Sequence, residues 1–131
     1  MPRFVVLRHE FPAGHARATH WDLMFQWGSS LRTWALDAEP LSQAQITARA
    51  LADHRIEYLD YEGPVSDDRG MVARWDQGEY ELNASQEHEF RARLRGRRLG
   101  CNMTLRKAAE GHFWTVSFSA EPTTGSSSPS T

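Results

Sequence analysis

Apolar residues recur at every second position along most of this chain, and this alternation restricts the fold more than any other feature of the sequence. Residues 21–27 and 90–94 show it most clearly, with apolar side chains separated by mostly polar ones. Because successive side chains of a β-strand point to opposite faces, such segments predict half-buried strands. Further segments of strand length give a total of about eight strands: residues 4–7, 31–36, 70–75, 79–82, 99–105 and 113–118.

Short polar sequences separate these segments and predict tight turns. Gly28-Ser29-Ser30 precedes a returning strand at residues 31–36, and Asp76-Gln77-Gly78 lies between two further strand segments. Many short antiparallel strands indicate a mainly β fold, a compact antiparallel β-barrel of about eight strands with one or two short helices. Closure of the barrel would leave no exposed edge strand.

One segment predicts a helix. Ser42 and Gln45 have the spacing of a capping box, Pro40 lies just outside it, and residues 43–52 are rich in alanine. Ile46 and Leu51 would share one side of that helix. We therefore expect a short helix at residues 43–52.

Length and composition indicate one domain without a membrane segment. A chain of 131 residues suits a single domain, which we place at residues 1–119, followed by a disordered polar tail at residues 120–131. The net charge of -2 does not indicate a nucleic-acid or membrane partner, and a single cysteine excludes an intramolecular disulfide. The apolar run at residues 4–7 is too short for a signal peptide or a membrane span, so we expect a cytoplasmic protein.

The sequence His20-Trp21-Asp22 places an imidazole and a carboxylate on the same face of a predicted strand. Two upstream histidines, His9 and His15, could complete a site of two imidazoles and one carboxylate. Such ligands suit Mn²⁺, Fe²⁺ or Zn²⁺. The alternative interpretation is that these are solvated loop histidines and that Asp22 only forms a cap or an ion pair.

A second candidate group lies at Asp53-His54, with Tyr58 four residues later. His54 could act as a general acid or base near neutral pH, or bind a phosphate as a cation, and Tyr58 could donate a hydrogen bond to a phosphate oxygen. Alternatively, His54 is a favourable charge just beyond the end of the predicted helix.

Arginines are concentrated in the window from Arg91 to Lys107, which contains no acidic residue. Arg91, Arg93 and Arg95 alternate with apolar residues and would therefore share one face of a strand. Their positive face could bind a phosphate-bearing partner such as a nucleic acid, or it could simply be the solvated face of a half-buried strand.

Six segments that follow one another along the chain carry a family resemblance. They are Phe4-Val5-Val6-Leu7-Arg8-His9, His20-Trp21-Asp22-Leu23, Leu31-Arg32-Thr33-Trp34-Ala35-Leu36, the run from Asp53-His54 to Glu62-Gly63, residues 70–78, and residues 94–99. Together they resemble the 3'-phosphoesterase domain of bacterial DNA ligase D, the multifunctional end-joining ligase, and its stand-alone relatives. The resemblance extends over nearly the whole chain to about Phe118.

This resemblance implies a function and a set of site residues. His9, His20 and Asp22 would coordinate a divalent metal, with Mn²⁺ expected and Zn²⁺ or another transition metal as the alternative. His54 would contact the scissile phosphate, with Tyr58 beside it. The implied activity is removal of 3'-terminal ribonucleotides or 3'-phosphates from nucleic-acid ends in DNA repair, with an end-joining ligase or polymerase as a further partner. The implied fold is a compact β-barrel with short helical elements.

The sequence departs from the family pattern where the family has phosphate-binding cations. Met24, Ala38 and Ile46 occupy or lie near those positions. A five-residue insertion between His9 and His20 supplies His15 as an alternative metal ligand and Arg17 as a substitute cation. These departures raise a second hypothesis, that the chain is a catalytically weak or inactive module of the same fold that binds metal and nucleic acid.

Overall fold

A computed structural model describes residues 1–66 and 69–120, which form nine β-strands and one short 3-10 helix at Ile56–Leu59. The prediction of a mainly β fold is confirmed. The strands are β1 (Arg3–Glu10), β2 (His20–Trp27), β3 (Ser30–Leu36), β4 (Gln45–Arg55), β5 (Gly63–Pro64), β6 (Met71–Gln86), β7 (Glu89–Gly96), β8 (Gly100–Lys107) and β9 (Phe113–Ala120).

Eight of the nine strands form a closed antiparallel ring. Their order is β1-β2-β3-β4-β9-β8-β7-β6, and β1 closes the ring by pairing with β6 as well as with β2. The two-residue strand β5 adds to the outer edge of β6 near its start. The ring is barrel-like, as the alternating sequence predicts, and every strand in it has a neighbour on both sides.

The inside of the ring is filled by the apolar side chains that alternate along each strand. Phe25 from β2, Trp34 from β3 and Phe90 from β7 meet there. Their ring centroids lie 4.8 Å apart for Phe25 and Phe90 and 5.2 Å apart for Trp34 and Phe90. All three side chains are almost completely buried. Large aromatic rings from opposite sides of the ring therefore fill its centre.

A second, smaller apolar cluster covers the outside of β1 and β2, and we call it the outer cluster. It forms because the short 3-10 helix and the chain after it fold back onto these strands, so that β1 and β2 are buried on both faces. This explains why residues 4–7 are continuously apolar rather than alternating. The outer cluster contains Val5, Leu7, Met24, Leu31, Leu59, Val65 and Val72.

The predicted helix at residues 43–52 is wrong, because residues 45–52 belong to β4 and the two before them form a bend. The side chains of β4 have a period of two: Ile46 and Ala48 are buried, whereas Thr47 and Arg49 between them are exposed. Ser42 caps no helix, since its hydroxyl donates a hydrogen bond to the carbonyl oxygen of Glu39 in a turn. Pairing with β3 on one side and β9 on the other overrides the helix propensity of the alanines.

The predicted tight turn at residues 76–78 is also wrong, because β6 continues through it without a reversal. Asp76 is buried and accepts hydrogen bonds from four backbone N–H groups, those of Gln77, Arg97, Arg98 and Leu99. A Cβ atom on Gly78 would lie 2.1 Å from the carbonyl oxygen of Arg95. Asp76 therefore binds the turn that follows β7, and Gly78 allows the backbone of β7 to lie close to β6.

The end of the chain is only partly described. β9 extends to Ala120, the first residue of the predicted tail, and residues 121–131 lie outside the described residues. Within residues 1–66 and 69–120, no helix is long and apolar enough to cross a membrane.

Candidate metal centre and adjoining cleft

The pairing of β1 with β2 brings three potential metal ligands together on the outer face of the ring. His9 lies directly opposite His20, and Leu7 lies opposite Asp22, so the two histidines and the aspartate share one face. His20 and Asp22 are almost completely buried, and the His9 side chain is 12% exposed. The group lies at one end of the outer cluster, where these strands are covered on both faces.

The donor atoms of this group are close enough to share one cation. His20 Nε2 is 3.0 Å from Asp22 Oδ1, and His9 Nδ1 is 3.4 Å from Asp22 Oδ2. One ligand atom from each residue lies within 4.8 Å of the other two. Metal–ligand bonds of about 2.0–2.2 Å place the ligands of one ion at comparable separations.

Backbone carbonyls fix the orientation of both imidazoles. His9 Nε2 is 2.5 Å from the carbonyl oxygen of Arg69, and His20 Nδ1 is 3.4 Å from that of Ala18. A carbonyl oxygen can only accept a hydrogen bond, so each of these ring nitrogens is the donor. The lone pairs then lie on His9 Nδ1 and His20 Nε2, the two atoms that face Asp22. Outer hydrogen bonds of this kind orient histidine ligands in metal sites.

The carboxylate of Asp22 is prepared for a cation. Burial raises its pKa, but His20 and His9 in their protonated form, through hydrogen bonds and positive charge, outweigh that effect and hold the pKa at about 2. Its Oδ1 atom is buried and has no hydrogen-bond partner among the described residues. With both imidazoles neutral, this buried oxygen has no donor and lies next to their lone pairs, and the three groups together then fit a divalent transition metal such as Mn²⁺, Fe²⁺ or Zn²⁺.

The structure brings His54 and Tyr58 to the same cleft as the three potential ligands. This cleft has a volume of about 480 Å³. A bulge between β3 and β4 precedes His54, and the 3-10 helix that follows carries Tyr58; the two rings lie 5.9 Å apart in an edge-to-face arrangement. His54 Nδ1 donates a hydrogen bond to the carbonyl oxygen of Ala52 at 2.9 Å, which leaves Nε2 for another partner.

The cleft contains cations at positions other than those of the family pattern. Arg17, Arg55 and Arg69 line it, and of these only Arg17 was predicted from the sequence. Met24 lines the cleft with an apolar, almost completely buried side chain, and Ile46 is buried inside the ring, so neither residue supplies a cation to the cleft. Arg69 reaches the cleft through the chain before β6, and no local pattern in the sequence indicates its proximity to His9.

The inserted segment between β1 and β2 places Phe11 over the metal centre. The Phe11 ring stacks on His9 at 4.4 Å and on His15 at 4.9 Å. His15 is exposed and its Nδ1 accepts a hydrogen bond from the backbone N–H of Arg17. The structure thus brings His9, and not His15, into contact with His20 and Asp22.

The predicted basic face on β7 is accompanied by acidic side chains. Arg91 forms an ion pair with Glu89 at 2.9 Å, and an oxygen of Glu81 lies 3.9 Å from Arg93. Arg95 lies opposite Glu79 on the neighbouring strand. Positive charge on this face is therefore largely balanced, and no described residue of β7 lines the cleft.

The chain matches a family model described as "DNA Ligase D 3'-phosphoesterase domain" over residues 13–107. This range includes His20, Asp22, His54 and Tyr58, whereas His9 on β1 precedes it. No curated protein matches the chain.

Proposed function

The chain belongs to the DNA ligase D 3'-phosphoesterase domain family, and from this premise we propose that it is a metal-dependent phosphoesterase of DNA repair. Its substrates would be nucleic-acid ends that carry a 3'-terminal ribonucleotide or a 3'-phosphate. Removal of either leaves a 3'-hydroxyl, which a separate end-joining ligase or polymerase could then seal or extend. We propose Mn²⁺ as the metal, with Zn²⁺ or another transition metal as the alternative.

The observation that carries this proposal is the convergence of His9, His20 and Asp22 at one side of the cleft that also contains His54 and Tyr58. Each imidazole of the group has its outer nitrogen engaged by a backbone carbonyl. A structural role alone would not require two nearly buried imidazoles to present their lone pairs to a carboxylate. The arrangement therefore supports a metal-binding function.

His9 Nδ1, His20 Nε2 and Asp22 would hold the cation. When bound, a divalent cation supplies positive charge that stabilises the charge developing on a phosphate oxygen. The protein's part is to keep its three ligands fixed: β1 is paired with a strand on each side, and the outer cluster packs against it.

His54 and Tyr58 would act on the phosphate from the other side of the cleft. With its Nδ1–H engaged by Ala52, neutral His54 has a free Nε2 that can accept a proton from an attacking water. Protonated His54 can instead donate to the phosphate or to the leaving oxygen. The hydroxyl of Tyr58 can donate a hydrogen bond to a phosphate oxygen.

Arg17, Arg55 and Arg69 would replace the phosphate-binding cations of the family pattern. A guanidinium group binds phosphate with two parallel hydrogen bonds and remains charged at all relevant pH values. Three such groups around one cleft can neutralise a terminal phosphate diester or monoester. Their presence favours an enzyme over an inert scaffold.

A second candidate function is a module that binds metal and nucleic acid without turnover. The apolar residues Met24 and Ile46 favour it, because they stand where the family pattern has phosphate-binding cations and supply no charge. The module would use the same cleft and bind nucleic-acid ends for another enzyme. The two candidates differ in a single measurable respect, the conversion of the 3' end.

The direct test uses a labelled primer-template that ends in one ribonucleotide, and a second one that ends in a 3'-phosphate. Each is incubated with protein in excess over substrate, with Mn²⁺ and separately with EDTA. We expect conversion to a 3'-hydroxyl end only with the metal. His54→Ala should lower the rate at least about 100-fold, because general acid–base groups contribute about 10²–10⁴-fold. His20→Ala should also lower it, because this change removes a metal ligand.

His88→Ala is the matched control, because His88 is an exposed histidine outside the cleft. It should convert both ends at the rate of the unaltered protein. If the protein binds one equivalent of Mn²⁺ by calorimetry but converts neither type of 3' end, the phosphoesterase is rejected and the binding module remains. Absence of metal binding would reject both candidates as stated.

A further inference from the structure

We propose that the nucleic-acid strand leading to the processed 3' end crosses the outer face of β2, β3, β4 and β9, and that Arg49 and Phe113 bind it. Arg49 would pair with a backbone phosphate, and a base would stack on the Phe113 ring. This inference rests on the proposed function in one respect, namely that the 3' end lies at the metal centre.

The strand register places these residues in a single row. Asp22 is opposite Ala35, Ala35 is opposite Arg49, and Arg49 is opposite Phe113. Residues that are directly opposite each other in adjacent strands project from the same face of the sheet. The row therefore runs from the metal centre to Phe113 on the outer face of the ring.

The length of this row suits a short stretch of single strand. Three strand spacings of 4.7–4.9 Å separate Asp22 from Phe113, or about 14 Å along the surface. Stacked nucleotides rise about 3.4 Å each, so the row spans about four of them, or fewer in an extended strand. Ala35 in the middle of the row is fully buried, so the strand would contact the protein through Arg49 and Phe113 at the far end of the row.

A shallow groove of about 470 Å³ connects this row to the metal centre. Its lining residues include Arg17, Thr19, His20, Asp37, Arg49 and Phe113. Arg17 and His20 also line the cleft that contains His54, so the groove and the cleft adjoin each other at these two residues. The inserted segment before β2 forms one wall of the groove, which makes the groove a feature of this chain's own sequence.

The chemistry of the groove fits a nucleic-acid strand. Arg49 is exposed, the guanidinium of Arg17 lies over the Phe11 ring at 5.1 Å, and within the described part of the chain neither arginine forms an ion pair. Phe113 is 54% exposed, although it lies within a strand. Unpaired cations beside an exposed aromatic ring are the combination that single-strand binding proteins use. Asp37 disfavours a phosphate at its own position, which places the phosphate beside Arg49.

The arginines of β7 are a poorer surface for the same strand. Arg91 and Arg93 have acidic neighbours, and β7 is three strands away from β2 around the ring. A strand bound there would have to leave the metal centre and pass over β1 and β6. The row on β2, β3, β4 and β9 starts at the centre itself.

The test measures binding without turnover. A single-stranded oligonucleotide with a fluorescent 5' label is titrated with the protein in EDTA, and fluorescence anisotropy is recorded at several salt concentrations. We expect Phe113→Ala to weaken binding about 5- to 150-fold, the range for loss of one base–aromatic stack. Arg49→Ala should weaken binding and lower the slope of log K against log salt by about 0.7.

Matched controls come from other exposed strand positions. Leu82→Ala removes an apolar side chain that is 41% exposed on β6, and Arg91→Ala removes an exposed arginine of β7. Both should bind as the unaltered protein does. Phe113→Trp should retain binding, whereas Phe113→Leu should not, because only the ring can stack on a base.

A second readout locates the base. An oligonucleotide with 2-aminopurine at each of the four positions before the 3' end should lose fluorescence on binding at one of them, and Phe113→Leu should abolish that loss. Equal affinity of Phe113→Ala, Arg49→Ala and the unaltered protein would overturn the proposal, as would loss of binding in Arg91→Ala alone. Binding that depends on Phe113 without any end conversion in Mn²⁺ would support this surface while rejecting the phosphoesterase.

Discussion

Gly70 allows the chain before β6 to lie directly against the end of β1. Its φ is +86°, and a Cβ atom there would be 1.9 Å from the carbonyl oxygen of Glu10. Only glycine tolerates both this backbone conformation and this contact. The contact brings the carbonyl of Arg69 to His9 Nε2 and so determines which nitrogen of His9 faces Asp22.

Gly70→Ala should therefore weaken metal binding. The added methyl group must push the chain away from Glu10, and with it the Arg69 carbonyl away from His9. Loss of such an outer hydrogen bond typically lowers metal affinity about 10–100-fold, and we expect a decrease of this size for Mn²⁺ by isothermal titration.

The control for Gly70 is Gly28→Ala in the turn between β2 and β3. Gly28 also has a positive φ, +64°, but a Cβ atom there meets nothing within 4 Å. This substitution introduces the same kind of backbone strain without a clash. An equal loss of Mn²⁺ affinity in the two variants would contradict the role assigned to Gly70.

At this scale the sequence predicted the neighbours along one strand but not those across strands. His20 and Asp22 are two residues apart, so their shared face follows from strand geometry alone. The choice of His9 over His15 depends on the register of β1 with β2. Residue spacing left both histidines open as ligands, and only the family resemblance favoured His9. The contact between the Arg69 carbonyl and His9 could not be predicted from a local sequence pattern, because the two residues are 60 positions apart.

Asp76 organises the turn between β7 and β8 from a distance of about twenty residues. Its buried carboxylate accepts the backbone N–H groups of Arg97, Arg98 and Leu99, besides that of Gln77. These donors have no other partner within the turn, so the carboxylate replaces the water that would otherwise satisfy them. The turn fixes the start of β8 beside β7, its neighbour in the ring.

Asp76→Ala should lower the free energy of unfolding by about 2–4 kcal/mol, because it leaves the buried N–H of Leu99 and three partly buried N–H groups without an acceptor. Urea denaturation followed by tryptophan fluorescence measures the change. Asp37→Ala is the control, since Asp37 is an exposed aspartate without an ion pair in the described residues, and its substitution should change stability by less than about 0.5 kcal/mol. A similar small change for Asp76→Ala would show that water satisfies the turn instead.

β4 and β6 show which elements could be predicted and which could not. The alternation of Ile46 and Ala48 with polar neighbours is a strand signal, but alanine-rich composition and Ser42 favoured a helix. Pairing with two neighbouring strands decided the outcome, and a single segment carries no record of its partners. Likewise, Gly78 resembles a turn residue, but glycine is needed there because the backbone of Arg95 lies too close for a side chain. Strands with strong alternation, such as β2, β7 and β8, needed no such context.

The molecule as a whole separates stability from function, because it has two apolar clusters. The interior of the ring holds most of the buried surface, whereas the outer cluster lies between the strands and the 3-10 helix that carries Tyr58. The candidate metal ligands, His54 and Tyr58 all lie beside the outer cluster. A change inside the ring should therefore affect folding alone, and a change in the outer cluster should also affect the cleft.

Two leucines test this separation. Leu59 ends the 3-10 helix and is 4% exposed in the outer cluster, and Leu105 of β8 is fully buried inside the ring. Leu59→Ala and Leu105→Ala should each lower the free energy of unfolding by about 2–5 kcal/mol, because each leaves a cavity. Only Leu59→Ala should also release the helix and displace Tyr58. Since small displacements at an active site can lower rates up to about 100-fold, we expect its single-turnover rate to fall at least about tenfold. Both rates are measured in Mn²⁺ at a temperature where circular dichroism shows both variants folded. Equal rates for the two variants would mean that the outer cluster stabilises the fold without positioning the cleft.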